Sequence, residues 1–196
     1  MSSKIAWEYT QHMTRETAYQ MLTKYLKNDK LLKHSLAVEA VMQHLATRLN
    51  SDPMEWGITG LLHDADYDRT KGRPELHGKE LFKLEPNSIP TNVEHAILAH
   101  NSEFTKTQPT TALDWALICC DELTLIVMKI ASSSKSQTLA GITPTDILVK
   151  LRQKNFAKEA HKENIYQCET KLTIPLTEFV TICYTAMTQI HEQLGL

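Results

Sequence analysis

The sequence predicts an all-α fold, and three observations support this. Only 6 glycines and 7 prolines interrupt the 196 residues. Between them, apolar residues recur at the three- and four-residue spacing of helices and do not alternate as in strands. No internal repeat or strand pair is visible. A chain of this length buries roughly 70% of its unfolded surface on folding. We therefore expect one domain over residues 1–196, a helical bundle whose central motifs lie in 34–121 and whose C-terminal helices, in 144–194, complete it.

The composition excludes several classes of protein. There are 21 basic and 23 acidic residues, which leave a formal charge of −2. This balance lacks the basic excess of proteins that bind nucleic acid polymers. The sequence has no apolar run long enough to span a membrane and no secretory signal, so we expect a cytoplasmic protein without a membrane partner. The 4 cysteines lack CxxC spacing and are predicted to be small buried residues.

The first two predicted helices cover residues 15–27 and 29–49. Thr14 is the predicted N-cap of the first, because its hydroxyl can accept from a free backbone N–H. The second carries an apolar stripe, and His34 lies one turn before Val38 on that stripe. His34 is therefore predicted to face the core.

The third helix begins with a strong start signal in residues 52–55, where an N-cap Asp is followed by Pro and then Glu. It is predicted to place His63 and Asp64 at its end. The polar segment 65–74 lacks periodicity and contains Gly and Pro, so we interpret it as a loop. A short helix is predicted over 76–84.

Two further helices carry polar residues on their inner faces. One begins near Thr91 and has His100 on its apolar face, with His95 off that face. The other covers residues 112–132 and presents Asp121 on a mostly apolar side. A buried carboxylate is costly unless it is paired or binds a metal, and this one has no cationic partner within a turn. A metal ion would compensate that charge.

The C-terminal part is predicted to add three helices. A capping signal at 143–146 opens a helix through Leu151. A second is predicted over 157–172. The third starts at Pro175 and shows a clear amphipathic series to the end of the chain.

The histidines and acids of the inner faces form an ordered series along the chain. Imidazoles and carboxylates are the groups that bind divalent metals. The members of the series are His34, His63, Asp64, His77, His100 and Asp121.

This series resembles the HD-domain superfamily of metal-dependent phosphohydrolases, whose pattern is an early His, a His-Asp pair and a later Asp on a downstream helix. His34, the pair His63 and Asp64, and Asp121 match that pattern in order. The segments LLKHSLAVEAVM, LLHDADYDR, ELHGKELF, AILAHN and CDELTLIV are together similar to small single-domain bacterial HD hydrolases. The resemblance extends over roughly residues 15–196.

The resemblance implies a metal site formed by His34, His63, Asp64 and Asp121. Asp64, His77 and His100 are the catalytic candidates. If Asp64 bridges, His77 and His100 hold a second metal; otherwise they act as general acids or position substrate around one metal. The implied cofactor is one or two divalent ions among Fe, Mn, Zn, Ni, Co and Mg, and the histidines favour a transition metal.

The sequence assigns less specific roles to the other charged residues near the motifs. Lys33 and Arg69 are candidates for binding substrate phosphate. Asp66 and Asp68 either orient ligands or accept a proton, or they are solvated acids of a polar loop. The remaining histidines fall off the pattern and are interpreted as surface or supporting residues: His12, His44, His95, His161 and His191.

The function implied by the resemblance is hydrolysis of a phosphomonoester or phosphodiester of a small molecule, with a nucleotide as the expected substrate. Two alternatives remain open. A dinucleoside polyphosphate hydrolase would need a cleft longer than one nucleotide with basic residues along it. A non-catalytic regulatory module would use the same site to hold a nucleotide without turnover. The sequence assigns no oligomeric state.

Overall fold

The computed structural model describes residues 13–158 and 160–196. These residues form helices and no β-strand, so the all-α prediction is confirmed. None of the described helices is both long and apolar enough to cross a membrane. In chain order the α-helices are α1 (Arg15–Tyr25), α2 (Asp29–Arg48), α3 (Pro53–Leu62), α4 (Tyr67–Thr70), α5 (Lys79–Leu84), α6 (Thr91–His100), α7 (Ser102–Thr105), α8 (Ala112–Ser133), α9 (Pro144–Arg152), α10 (Lys162–Lys171), α11 (Leu176–Gln189) and α12 (His191–Leu194).

Polar side chains fix the starts of the long helices where the sequence places them. Thr14 accepts a hydrogen bond from the backbone of α1, and Asp52 accepts one from Met54 N before the Pro53 of α3. Thr143 and Asp146 form a reciprocal capping box at α9. Each cap satisfies backbone donors that would otherwise lack a partner, which stabilises a helix by about 1 kcal/mol.

Two apolar clusters form the interior. The larger one is built mainly on α2, α8 and the C-terminal helices, with Phe179 as its largest fully buried side chain. The smaller one joins α1, α3, α5 and α6. Leu36 of α2 packs against both clusters, so α2 lies between them.

The contact between α2 and α3 depends on Gly60. A Cβ at this position would lie 2.9 Å from Glu39 N and from Val38 O, closer than real Cβ contacts allow. The absence of a side chain lets the two helix backbones approach each other. This approach brings the ring of His34 on α2 to 5.1 Å from that of His63, which directly follows α3.

The prediction of a loop over 65–74 is wrong in part. Residues Tyr67–Thr70 form the helical turn α4, held by the Asp66 carbonyl, which accepts from the backbone of Thr70 at 3.0 Å. A 3₁₀ turn follows at Pro74–Leu76. The helix predicted over 76–84 begins only at Lys79, because Gly78 has a φ of 82° that an α-helix cannot include.

Two of the three predicted C-terminal helices are shorter than predicted. The helix expected over 157–172 begins at Lys162, and Ala157 has a left-handed φ of 46° that an α-helix cannot include. The helix after Pro175 ends at Gln189, and the separate turn α12 follows. Hydrophobic spacing continues through both breaks, which explains why periodicity alone did not show them.

Candidate metal centre

The structure brings all six residues of the inner-face series together. They come from five separate segments: α2, the residues directly after α3, the stretch before α5, the end of α6 and the middle of α8. Their ligand atoms form two groups, each with atoms within 4.8 Å of one another. The groups are His34, His63 and Asp121, and Asp64, His77 and His100.

The first group lies between α2 and α8. His34 Nε2 is 2.8 Å from Asp121 Oδ1, and His63 Nε2 is 3.6 Å from the same oxygen. Both imidazole side chains are almost fully buried, whereas 22% of the Asp121 side chain is exposed. The group is therefore reachable from solvent on its carboxylate side.

The second group lies beside the first. His77 Nε2 is 3.1 Å from Asp64 Oδ1 and 3.2 Å from His100 Nε2. The rings of His63 and His100 are 5.5 Å apart, edge to face, so the two groups share a wall. All four imidazoles thus make successive ring contacts across the pair of groups.

Asp64 lies between the two groups. Its Oδ2 is 3.5 Å from His63 Nε2, and its Oδ1 is 3.1 Å from His77 Nε2. The sequence prediction placed Asp64 with His34, His63 and Asp121. The structure instead groups it with His77 and His100 while turning its second oxygen toward His63, which is the placement a bridging carboxylate requires.

Three imidazoles are fixed in one orientation by acceptors at Nδ1. His63 Nδ1 donates to the Gly60 carbonyl at 2.7 Å, and His100 Nδ1 donates to the Ile97 carbonyl. His77 Nδ1 donates to Asp66 Oδ1 at 2.8 Å. Because carbonyl and carboxylate oxygens accept, Nδ1 carries a proton, and in the neutral imidazole each Nε2 presents a lone pair to the cluster.

His34 follows the same rule through a hydroxyl. Thr124 Oγ1 donates to the Asp121 carbonyl at 2.8 Å, so it accepts from His34 Nδ1 at 3.3 Å. With all four imidazoles neutral, the Nε2 atoms therefore point lone pairs at one another and at two carboxylates. Such an arrangement is repulsive unless a positive charge lies among the ligand atoms.

The donor set fits divalent metal ions. His63 Nε2 is buried and has no hydrogen-bond partner, although it faces carboxylate oxygens of Asp64 and Asp121. An unpartnered imidazole lone pair beside carboxylates is a ligand arrangement of the type that Zn²⁺, Mn²⁺ or Fe²⁺ binds. Hydrogen bonds at Nδ1 are also the usual means of orienting histidine ligands.

The pKa values of the histidines also indicate that positive charge stabilises the cluster. Burial opposes protonation of His63, but the Asp64 and Asp121 carboxylates outweigh it and raise the pKa of His63 to about 9. Burial likewise opposes protonation of His77, and hydrogen bonds to Asp64 and Asp66 raise its pKa to about 10. Burial and the neighbouring His77 lower the pKa of His100 to about 4. Without metal, protons on His63 and His77 supply the missing charge.

Metal binding to the metal-free chain is expected to release protons. At pH 7.5 the imidazoles of His63 and His77 are protonated, since their pKa values are about 9 and about 10, and both must lose a proton to become ligands. Titration calorimetry with Zn²⁺ in two buffers of different ionisation enthalpy should show about two protons released per chain. Equal heats in both buffers would contradict the assignment of these two histidines as ligands.

The same shifts make the stability of the metal-free chain depend on pH. The folded pKa values of about 9 and about 10 lie above the ordinary value of 6.5. Between pH 6.5 and about 10 the folded chain therefore binds more protons than the unfolded chain. The contribution of these two histidines to the free energy of unfolding should therefore be largest below pH 6.5 and should fall as the pH rises to about 10. Urea titrations at pH 6.5 and 9.5 measure this, and the metal-loaded chain should lose less stability over the same interval.

Asp66 is buried beside the cluster, which the sequence did not reveal. It is 1% exposed, and its carboxylate accepts from His77 Nδ1 and from the backbone N–H groups of Gly78 and Leu81. The carboxylate thereby fixes the His77 ring and the start of α5 together. Its partners lie beyond the polar loop, so no local pattern around Asp66 could show them.

Replacing Asp66 with Asn is expected to weaken metal binding by roughly 10- to 100-fold, the usual effect of losing a partner that orients a histidine ligand. The amide group has one acceptor fewer, and its NH₂ would face backbone N–H donors of Gly78 or Leu81. Metal affinity measured by competition with a chelator dye checks this. D52N is a matched control, because Asn caps a helix as well as Asp does at that position. Equal affinities for D66N and D52N would exclude the orienting role.

The other charged candidates lie apart from the cluster. Lys33 Nζ pairs with Asp29 at 2.9 Å, and Arg69 is exposed. Among the described residues, no hydrogen bond or ion pair joins either to the six clustered residues. Asp68 accepts from the backbone of Lys27 and Asn28, so it fixes the turn between α1 and α2.

The remaining histidines also lie outside the two groups. His95 contacts the buried Asp114 at 3.2 Å, and His44 donates to the Ala40 carbonyl. His161 and His191 are exposed. The interpretation of His12 as a surface or supporting residue falls outside the described part of the chain.

Glu122, next to Asp121, was not identified from the sequence. Burial and the Asp121 carboxylate raise its pKa to about 7. Its Oε2 accepts from the backbone N–H of His161 at 3.2 Å. Glu122 therefore connects α8, beside the cluster, to the segment that precedes α10.

Comparison with known proteins identifies one family. The family described as HD domain matches residues 31–140, which is more than half of the chain and includes all six clustered residues. No curated protein and no solved structure matches the chain.

Proposed function

The chain belongs to the HD domain family, a family of metal-dependent phosphohydrolases, and from that membership we propose that it hydrolyses a phosphoester of a small molecule, specifically a nucleotide. The observation that carries the proposal is the position of Asp64 between two groups of nitrogen and oxygen ligands. Paired ligand sets that share a carboxylate are typical of hydrolytic sites with two metal ions.

The proposed roles follow from the side chains. His34, His63 and Asp121 would hold one divalent ion, His77 and His100 the second, and Asp64 would contact both. Divalent ions bound there would lower the pKa of a water molecule and offset negative charge on phosphoryl oxygens. The protein's own contribution is to fix the imidazole rings so that each Nε2 faces the site, where it can bind a metal once it has lost its proton.

The choice of a nucleotide is supported by an exposed aromatic side chain at the rim. Tyr67 is 39% exposed, and its ring lies 5.6 Å from that of His77, edge to face. An exposed ring beside the ligand groups offers a stacking surface for a nucleobase. Arg69 is exposed two positions further on in α4, and we retain it as a candidate contact to phosphate.

The proposal also includes a cytoplasmic location and a single domain over residues 1–196. The four cysteines are free and buried in the structure, as the sequence predicts. Free thiols are typical of proteins from reducing compartments. The C-terminal helices α10 and α11 pack on α8 and α2, which supports one common core.

The experiment that tests the function combines metal analysis with a substrate screen. The purified chain is analysed for transition metals and then assayed, with each divalent ion added back, against nucleotides, dinucleotides and sugar phosphates. We expect metal-dependent release of phosphate or a nucleoside monophosphate, preferentially from a nucleotide, and loss of activity with chelator. Nucleotide binding without turnover under every metal would instead identify a regulatory module.

A further inference from the structure

A basic pocket lies at the C-terminal end of α9. This cavity of about 330 Å³ opens between α9, α10 and the segment that joins them. Among the described residues, its charged lining consists of four cationic side chains and one acidic side chain, and Tyr166 adds an aromatic ring. The charged residues of this basic pocket are Arg152, Lys154, Lys158, Lys162 and Glu163.

The basic pocket carries an excess of positive charge among the residues that the structure describes. Within residues 13–158 and 160–196, no carboxylate forms an ion pair with its four cationic side chains. Lys162 Nζ donates to the Gln153 carbonyl at 2.8 Å, and Glu163 contacts His161. The whole chain carries a formal charge of −2, so this local excess is opposite in sign to the average. Like charges gathered in a concave site attract an anion.

An aromatic ring gathers further ammonium groups at the same place. The Nζ atoms of Lys129, Lys150 and Lys162 lie 5.7, 5.2 and 5.9 Å from the centre of the Phe156 ring. Cation–π attraction fixes these flexible side chains around one ring. Lys150 and Lys162 thus hold their ammonium groups on one ring beside the basic pocket.

A hydrogen bond joins the wall of the basic pocket to the helix that carries Asp121. His161, beside its lining residue Lys162, donates its backbone N–H to Glu122, which directly follows Asp121. Cys119 Sγ contacts the Asn164 carbonyl at 3.1 Å and fixes α10 against α8. The wall of the basic pocket is thus attached to the helix that carries Asp121.

We propose that the basic pocket binds a phosphate group of the substrate other than the one that is hydrolysed. This inference rests on the proposed function and narrows its substrate class to nucleotides with a chain of phosphates. Lysine ammonium groups and an arginine fork match phosphate oxygens, and each such charged hydrogen bond is strong. The cavity is near the lower end of the range for small-ligand sites, about 300 to 1,000 Å³, which favours a small anion over a nucleic acid strand.

The test uses the full chain and two double variants. K154Q/K158Q removes two exposed charges of the basic pocket, and K30Q/K135Q removes two exposed charges elsewhere on the surface. Binding of inorganic pyrophosphate is measured by titration calorimetry for all three proteins. We expect about tenfold weaker binding for K154Q/K158Q only, the loss of roughly one charged hydrogen bond. Steady-state kinetics with nucleoside mono- and triphosphates follow, and KM should rise for the triphosphate in K154Q/K158Q.

The outcomes separate this proposal from the proposed function. Equal pyrophosphate affinities in all three proteins, with hydrolysis intact, would overturn the proposed role of the basic pocket and leave the proposed function unaffected. Weaker pyrophosphate binding in K154Q/K158Q with an unchanged KM for the triphosphate would overturn the assignment to substrate and indicate a separate anionic ligand. Tight binding of a DNA oligonucleotide that K154Q/K158Q abolishes would show a nucleic acid partner and overturn the proposal. Absence of hydrolysis of any phosphoester would overturn the proposed function, whatever the calorimetry shows.

Discussion

Replacing Asp64 with Asn is expected to lower kcat by roughly 1,000-fold, or about 4 kcal/mol in the activation barrier, while the helical fold is retained. Asp64 presents one oxygen to His63 and the other to His77. An amide replaces one of these oxygens with an NH₂ group, which would donate to the facing Nε2 and occupy its lone pair. The variant therefore removes a negative charge and blocks a histidine at the same time.

The comparison variant is D52N. Asp52 caps α3 through a hydrogen bond from Met54 N, and Asn is an equally good N-cap, so the same chemical change is made outside the cluster on the helix that precedes His63. Circular dichroism, metal content and turnover are measured on the same preparations. If D64N keeps more than a tenth of the wild-type kcat, the carboxylate has no essential role.

Replacing His77 or His100 with Ala is expected to lower the metal content from two ions to one per chain and to reduce turnover by roughly 100-fold. Sequence reasoning left two roles for these residues, ligands of a second metal or groups that transfer a proton. The Nδ1 hydrogen bonds to Asp66 and to the Ile97 carbonyl favour the first, because they direct both Nε2 lone pairs inward.

Metal analysis and a pH–rate curve distinguish the two roles. A proton donor would leave the metal content of H77A and H100A at two ions and would change the pH dependence of kcat. H191A provides the control, since His191 is exposed and lies outside both ligand groups. If both variants retained wild-type metal content, pH dependence and turnover, only a mononuclear site would remain.

The helix starts and the clustered residues could be predicted from the sequence because they depend on local patterns. Asp52 and Thr143 cap helices through atoms within three residues of themselves. His34 and His100 lie on inner faces that follow from helical spacing alone. The family pattern adds the order in which such faces contribute ligands.

The features that the sequence did not show depend on partners distant in the chain. Asp66 is buried because Gly78 and Leu81 donate to it, and a polar loop gives no sign of that. Ala157 lies outside any helix because its backbone is left-handed, a conformation that is uncommon for a non-glycine residue. The division of ligands into two groups required the three-dimensional position of Asp64.

The origin of the clustered residues in five segments has a consequence for folding. A ligand that contacts the cluster closes chain loops from His34 to Asp121, so it joins helices of both apolar clusters. A metal ion binds only the folded chain tightly, so by mass action it raises the free energy of unfolding of the whole chain. Amide hydrogens in α2, α3, α6 and α8 should therefore slow their exchange with solvent together on metal addition, as one cooperative unit. The lifetime of the folded chain, as well as its chemistry, would then follow the supply of metal.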